Sequence, residues 1–114
     1  MLDLSQKYLY EIETRKYLAT PISYDTVNDK YTISARGIDN TFVVGENDLI
    51  EDTTVSGIDF TKSYYIDADN ESGETITHIC KIIYYDSSNS LFCISIRGIG
   101  ITFLVEASEL TEVQ

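Results

Sequence analysis

Tryptophan is absent from this chain, and proline, methionine and histidine each occur only once. The single histidine is His78, and the two cysteines, Cys80 and Cys93, are too far apart to form a Cys-x-x-Cys motif. A zinc site needs three or four such ligands at suitable spacing, and a Ser or Cys triad would have to use His78 as its base. No Gly-rich phosphate loop is present either. The sequence therefore predicts no metal, no cofactor and no catalytic residue, and we interpret the protein as a non-enzyme.

Basic side chains are also scarce, because eight Lys and Arg stand against 19 Asp and Glu, for a formal net charge of -11. A chain this acidic repels a phosphate backbone and an anionic membrane, so we expect no direct contact with nucleic acid or membrane. No apolar stretch approaches the roughly 20 residues that span a bilayer, and Met1–Tyr10 lacks the apolar run of a signal peptide. These absences favour a cytoplasmic location, in the host cell cytosol if a phage encodes the protein.

The 114 residues contain an internal duplication. When the sequence is shifted by 61 places, residues 13–51 align with residues 74–112 without a gap, and 16 of the 39 positions are identical. Chance gives about two or three identities at ordinary residue frequencies. The second copy also carries a five-residue acidic insertion. The predicted organisation is a first repeat, a linker and a second repeat, at residues 3–51, 52–58 and 59–112.

Each repeat has the pattern of β-structure. Apolar and polar residues alternate along Tyr31–Arg36 and Phe92–Arg97, as they do in half-buried strands. Asp and Asn residues before these strands predict turns at Asp25–Asp29 and Asp86–Ser90. Four such strands in about 50 residues, ended by a one-turn helix, resemble a small SH3-like barrel. A barrel of that size buries little apolar surface by itself. We therefore predict an all-β fold of two antiparallel SH3-like barrels, or half-barrels sharing one core, packed about a pseudo-two-fold axis.

Several residues are identical in both copies, among them the pairs Arg36/Arg97 and Gly37/Gly98. Residues that two copies share are most simply those that the fold itself requires. We predict that the glycines supply a special φ or a close backbone approach. The arginines are expected to pair with a carboxylate of a neighbouring strand.

The insertion gives the second repeat an acidic loop that contains no basic residue. A calcium loop also alternates oxygen ligands, but here the glycine falls one place late, at Gly73, and the twelfth position is His78. We therefore interpret the loop as a solvated hairpin tip that offers a contact surface to a partner. Its four carboxylates belong to Asp67, Asp69, Glu71 and Glu74. Supporting acidic positions lie near the end of each repeat, at Glu46, Asp48, Glu106 and Glu109.

Nine tyrosines lie almost wholly in predicted strands. Because side chains alternate along a strand, neighbours such as Tyr64 and Tyr65 must point to opposite faces. One of them can enter the core, while the other is outward and suits a protein interface. We take both as candidates for partner binding.

Two functions are consistent with these features. In the first, the protein binds a partner with a basic surface, such as a nuclease, and blocks its nucleic-acid site by imitating phosphates. Its small size and acidity are similar to those of phage-encoded inhibitors of host defence nucleases, such as anti-restriction and anti-CRISPR proteins. In the second, it is a tandem SH3-like adaptor or assembly module that binds a protein through outward tyrosines and sheet edges, as a monomer or homodimer. A third interpretation is that the acid only keeps the protein soluble.

Overall fold

A computed structural model describes the chain over its full length, Met1–Gln114, and nearly all of its regular structure is strand. The only helical pieces are 3-10 turns at Glu46–Asp48 and Ala107–Glu109, and neither has the length and apolarity to cross a bilayer. The all-β prediction is therefore confirmed. The strands are β1 (Tyr8–Ile12), β2 (Arg15–Asp25), β3 (Lys30–Ala35), β4 (Thr41–Val44), β5 (Leu49–Ile50), β6 (Thr54–Val55), β7 (Ile58–Asp59), β8 (Ser63–Asp69), β9 (Thr75–Asp86), β10 (Leu91–Ile96), β11 (Thr102–Val105) and β12 (Thr111–Glu112).

Two long strands, β2 and β9, organise the sheet. In the first half of the chain (residues 3–51), β2 pairs with β1 and β3. Strand β4 pairs with the other edge of β3, and β5 pairs with the other edge of β1. In the second half (residues 59–112), β9 pairs with β8 and β10, while β11 extends β10 and β12 extends β8. All these pairings are antiparallel and belong to one ten-stranded sheet, and β6 and β7 form a separate hairpin.

Side-chain hydrogen bonds to the backbone form the turns that follow β2 and β9. The Asp25 carboxylate accepts the backbone N–H of Val27 at 2.9 Å, and the Asp86 carboxylate accepts that of Ser88 at 2.9 Å. Short acidic side chains favour such turns because they replace a missing backbone acceptor. Turns were predicted at Asp25–Asp29 and Asp86–Ser90, and the chain turns at both places.

Buried apolar side chains form two clusters of unequal size. The larger one lies mainly in the second half but also contains Leu9 and Leu18 of the first half. Part of the first half therefore packs into the core of the second. The 12 residues of the larger cluster are Leu9, Leu18, Ile58, Phe60, Tyr64, Ile66, Cys80, Ile82, Phe92, Ile94, Ile96 and Val105. The four of the smaller cluster are Ala19, Tyr31, Ile33 and Val44.

The halves are joined by a short stretch of antiparallel pairing between the start of β2 and the end of β9. Arg15 lies opposite Asp86 and forms an ion pair with it at 3.4 Å. Its guanidinium also lies over the Tyr84 ring at 4.4 Å, where the negative face of the ring attracts it. The rings of Tyr17 and Tyr84 are 5.3 Å apart. Backbone, charge and ring contacts thus coincide at this junction.

The junction joins unlike edges of the two long strands, so the predicted pseudo-two-fold packing is wrong. Residues Arg15–Tyr17 of β2 pair with β1 on one edge and with β9 on the other. The edge that β9 occupies is therefore the one on which β3 pairs further along β2. Residues Tyr84–Asp86 of β9 pair with β10 on one edge and with β2 on the other. The edge that β2 occupies is therefore the one on which β8 pairs earlier in β9. A two-fold axis would bring like edges together.

Arg36 and Gly37 complete the contact between the halves. The Arg36 guanidinium donates hydrogen bonds to the backbone carbonyls of Phe60 at 3.1 Å and Ile82 at 2.9 Å. Gly37 has φ +85°, and a Cβ there would lie 2.5 Å from Cγ2 of Ile83. The predicted carboxylate partner of Arg36 is replaced by these two carbonyls, since no ion pair involves this arginine. The prediction for Gly37 is confirmed, because it has both a special φ and a close approach.

Candidate acidic contact surface

The acidic loop lies at the tip of the β8–β9 hairpin. Asn70 shapes the tip, because its side-chain oxygen accepts the backbone N–H groups of Ser72 at 2.9 Å and Glu74 at 3.0 Å. Gly73 has φ +81°, a value that glycine adopts without steric strain. The insertion therefore extends a hairpin and ends in an ordered turn.

All four carboxylates of the hairpin are exposed. Asp67 accepts the Thr77 hydroxyl at 2.6 Å, and Asp69 accepts the Thr75 hydroxyl at 2.8 Å. Residues two apart share one face of a strand and lie about 6.5 Å from each other. Asp67 and Asp69 are thus a spaced pair of anchored negative charges, with Glu71 and Glu74 beside them in the turn.

The supporting acidic residues lie on or next to the two 3-10 turns. Neither turn is part of the β8–β9 hairpin that carries the acidic loop. Asp48 accepts the backbone N–H of Gly45 at 2.8 Å, and Glu109 accepts that of Glu106 at 2.7 Å. Asp48 and Glu109 therefore cap their own turns, whereas the Glu46 carboxylate forms an ion pair with the N-terminal amine of Met1 at 3.3 Å. Near the first turn is an open polar cleft of about 430 Å³, lined by Asp29, Lys30, Gly45, Glu46, Asn47 and Asp48.

The structure separates the two candidate tyrosines. Tyr64 is 2% exposed, and its hydroxyl oxygen accepts the backbone N–H of Asp59 at 2.7 Å. Tyr65 is 37% exposed and lies opposite Ile79 of β9. Tyr65 can therefore touch a partner, whereas Tyr64 holds the core and the turn before β8.

One carboxylate with a strongly shifted pKa lies outside the predicted set. Asp86 accepts the hydroxyl and the backbone N–H of Ser88, at 2.6 and 2.9 Å. These bonds, with smaller contributions from Thr14 and Arg15, lower the pKa of Asp86 to about 2. The residues that form this turn are visible in the sequence, but the link between Asp86 and Arg15 is not, because the two residues are 71 positions apart.

Replacing Asp86 by Asn should destabilise the protein at neutral pH and much less in acid. Because the folded pKa of about 2 lies below the unfolded value of 3.8, ionised Asp86 stabilises the folded state above the unfolded pKa. That stabilisation is lost as the pH falls toward 2. Urea unfolding of both proteins at neutral pH and near pH 2 measures this, and an equal difference at both pH values would contradict it.

The two cysteines and the single histidine, which are candidates for catalysis or metal binding, all lie in strands of the sheet. Cys80 and Cys93 are buried and unpaired, and burial raises the pKa of the Cys80 thiol to about 11, so it is a poor nucleophile at neutral pH. His78 is half-buried and lies opposite Ile66. No three His, Cys, Asp or Glu side chains form a group that could hold a metal ion.

A second cleft, of about 210 Å³, was not foreseen from the sequence. It is lined by Ile79, Cys80, Lys81, Ser95, Ile96 and Arg97. At the 61-residue spacing these positions correspond to Leu18–Thr20 and Ser34–Arg36 of the first half. There, Arg36 and Leu18 contact the second half. The cleft therefore lies where the first half has a partner and the second half has none.

The chain matches no protein-family model, no curated protein and no solved structure.

Proposed function

We propose that this chain is a non-enzymatic binding protein that presents its acidic hairpin to a basic protein surface. The partner is a nucleic-acid-binding protein such as a nuclease, and the hairpin occupies its phosphate-binding cleft. We place this activity in the cytoplasm, in the host cell cytosol if a phage encodes the protein. The observation that carries the proposal is the exposed pair Asp67 and Asp69, held in place by Thr77 and Thr75.

Charge and order both support this use of the hairpin. Residues 63–79 contain no Lys or Arg, so the nearby chain does not neutralise the four carboxylates. Hydrogen-bonded carboxylates lose less side-chain entropy on binding than free ones. A field from a net charge of -11 also accelerates the encounter with a basic partner, and salt screens that attraction.

Each half is further proposed to be an SH3-like repeat. The two halves share the order of their strands, the central position of the long strand and a 3-10 turn before the last short strand. Matching turns precede β1 and β8, where Asp3 and Asp59 accept the backbone N–H groups of Ser5 and Thr61.

Charge reversal tests the acidic contact. Changing Asp67, Asp69, Glu71 and Glu74 to Lys should weaken binding to a basic DNA-cleaving nuclease, and the inhibition of its cleavage, by about tenfold or more. The matched control reverses four exposed acidic residues outside this surface, Glu11, Glu13, Asp39 and Glu51, and so changes the net charge equally. Binding is measured at about 0.05 and 0.2 M salt, where screening differs. An unchanged affinity in the hairpin variant would contradict the proposal.

An adaptor or assembly role is the second candidate, and the exposure of Tyr65 favours it. In that case Tyr65→Ala abolishes partner binding, while reversal of the hairpin charges leaves it intact.

A further inference from the structure

Each half contains a strand edge equivalent to the one that the other half uses at the junction. Both of these equivalent edges lack a pairing strand. On β9, the edge opposite β8 carries β10 only from Cys80 onward, so Ile76–His78 are free there. On β2, the edge opposite β3 carries β1 only as far as Ala19, so Ser23–Asp25 are free there. These segments correspond, at the 61-residue spacing, to Arg15–Tyr17 and Tyr84–Asp86 of the junction.

The second half has a surface equivalent to the one through which the first half contacts it. This equivalent surface has no partner in the structure. Tyr65 lies opposite Ile79 as Leu9 lies opposite Leu18. The Arg97 N–H donates to the Ile79 carbonyl at 3.0 Å, as the Arg36 N–H donates to that of Leu18 at 2.9 Å. We call Tyr65, Ile79, Arg97 and Gly98 the arginine surface.

The arginine surface is empty where the junction is filled. Arg97 is exposed, and its guanidinium makes no hydrogen bond or ion pair in the structure, whereas Arg36 donates to two carbonyls. Gly98 has φ +83° and no atom within 4 Å of its Cβ position, whereas Gly37 lies against Ile83. The cleft of about 210 Å³ opens beside Arg97.

The first half carries the complementary surface, also unused. A β-bulge makes Ile83 an extra residue in β9 opposite β10, and Ile22 is the corresponding extra residue in β2 opposite β3. Bulges re-aim side chains, and Ile83 reaches Gly37 in this way, whereas Ile22 is 55% exposed. Before the five-residue insertion the two copies are 56 residues apart, so Leu4 is the counterpart of Phe60, and Leu4 is 37% exposed. We call the surface formed by Leu4, Ile22 and the Pro21 carbonyl the bulge surface; Pro21, like its counterpart Ile82, is a buried residue.

We propose that the bulge surface of one molecule docks on the arginine surface of a second molecule of the same chain. Ser23–Asp25 of the first molecule pair antiparallel with Ile76–His78 of the second, in the register of the internal junction. Ile22 lies against Gly98, and the Arg97 guanidinium donates to the backbone carbonyls of Leu4 and Pro21. The ten-stranded sheet of each molecule continues into the next.

A second molecule fits because the chain already contains this contact once. The contact joins unlike surfaces, so one molecule uses its bulge surface and its neighbour uses its arginine surface. Head-to-tail contacts of this kind build open chains, or rings if the rotation closes. An unpaired strand edge also offers backbone donors and acceptors to an added strand.

The contact between molecules is weaker than the internal one. Ile76 replaces Arg15, so the ion pair to Asp86 and the stacking on Tyr84 have no counterpart. Each molecule also carries a net charge of -11, and like charges oppose association. Association should therefore strengthen as salt shortens the screening length, from about 10 Å at 0.1 M to about 3 Å at 1 M.

Sedimentation of the full chain over a concentration series, at about 0.1 and about 1 M salt, tests the proposal. The mean mass should rise with protein concentration, and more steeply at the higher salt. Ile22→Asp and Arg97→Glu should each raise the dissociation constant at least about tenfold. Both sites are exposed, and circular dichroism checks that the variants fold. The matched control is Val43→Asp, which adds a charge at a position 71% exposed on β4 and should associate like the parent.

Mixing the two variants gives the sharpest result. Ile22→Asp keeps an intact arginine surface and Arg97→Glu keeps an intact bulge surface, so an equimolar mixture should form a one-to-one dimer and nothing larger. A chain that stays monomeric at every concentration overturns the proposal and leaves the edge to a strand from another protein. So do variants that associate like the parent, or a mixture that stays monomeric. The outcome is independent of the proposed function, whose binding to a basic partner weakens with salt.

Discussion

Replacing Phe92 by Ala should reduce the free energy of unfolding by about 3–5 kcal/mol. Phe92 is fully buried in the larger cluster, where its ring lies 4.8 Å from that of Tyr85 and 6.1 Å from that of Phe60. The substitution removes this apolar surface and leaves a cavity that a sheet core fills only in part. Domains of this size are stable by about 5–15 kcal/mol, so the loss takes a large share of the total.

Urea unfolding followed by far-UV circular dichroism measures this loss, because the chain has no tryptophan for fluorescence. The matched control is Phe103→Ala on β11, where the ring is 37% exposed and truncation should cost about 1 kcal/mol. Equal losses for Phe92 and Phe103 would show that the larger cluster is not the main core.

Replacing Gly37 by Ala should destabilise the protein by about 2–4 kcal/mol. An L-residue at φ +85° costs about 1 kcal/mol or slightly more. The new methyl group also meets Cγ2 of Ile83 at 2.5 Å, and this carbon is attached directly to the Ile83 Cβ, so no flexible side-chain end can move aside. Overpacking of this kind adds about 1–3 kcal/mol.

Gly98→Ala separates these two costs. Gly98 has nearly the same φ, +83°, but no atom lies within 4 Å of its Cβ position. In dilute protein this variant should lose only the backbone cost, about 1 kcal/mol. Thermal or urea unfolding of both variants gives the difference. If the two alanine variants were equally stable, the close packing of Gly37 on the second half would be refuted.

The turns were predictable because their chemistry is local. Asp25 and Asp86 bond backbone groups two residues ahead, so the residue types within a short window decide the turn. Alternation likewise predicted that Tyr64 and Tyr65 point to opposite faces, but not which of them is buried. That choice depends on the strands that cover each face.

The acidic hairpin was predictable as a location and not as a geometry. Four carboxylates in eight residues are visible in the sequence. The hydroxyl contacts of Thr75 and Thr77 depend on the register between β8 and β9, and a register is set by pairing across the sheet.

Arg36 and Arg97 show where sequence reasoning ends. Both follow the same residues, Ile-Ser-x, and both precede Gly. Identical local sequence predicts identical local backbone, and the φ values of the two glycines agree with this. Yet Arg36 lies in the junction and Arg97 is exposed, because only the first half has a neighbour on that side.

By itself, the sequence determined the all-β class, the positions of the turns and the place where acid concentrates, since composition and short-range patterns govern each of them. The tertiary structure alone decided which edges of β2 and β9 join, which arginine donates hydrogen bonds at the junction and which strand edges stay open. Both edges of any strand carry the same backbone donors and acceptors. The choice between them is therefore made by residues far apart in the chain.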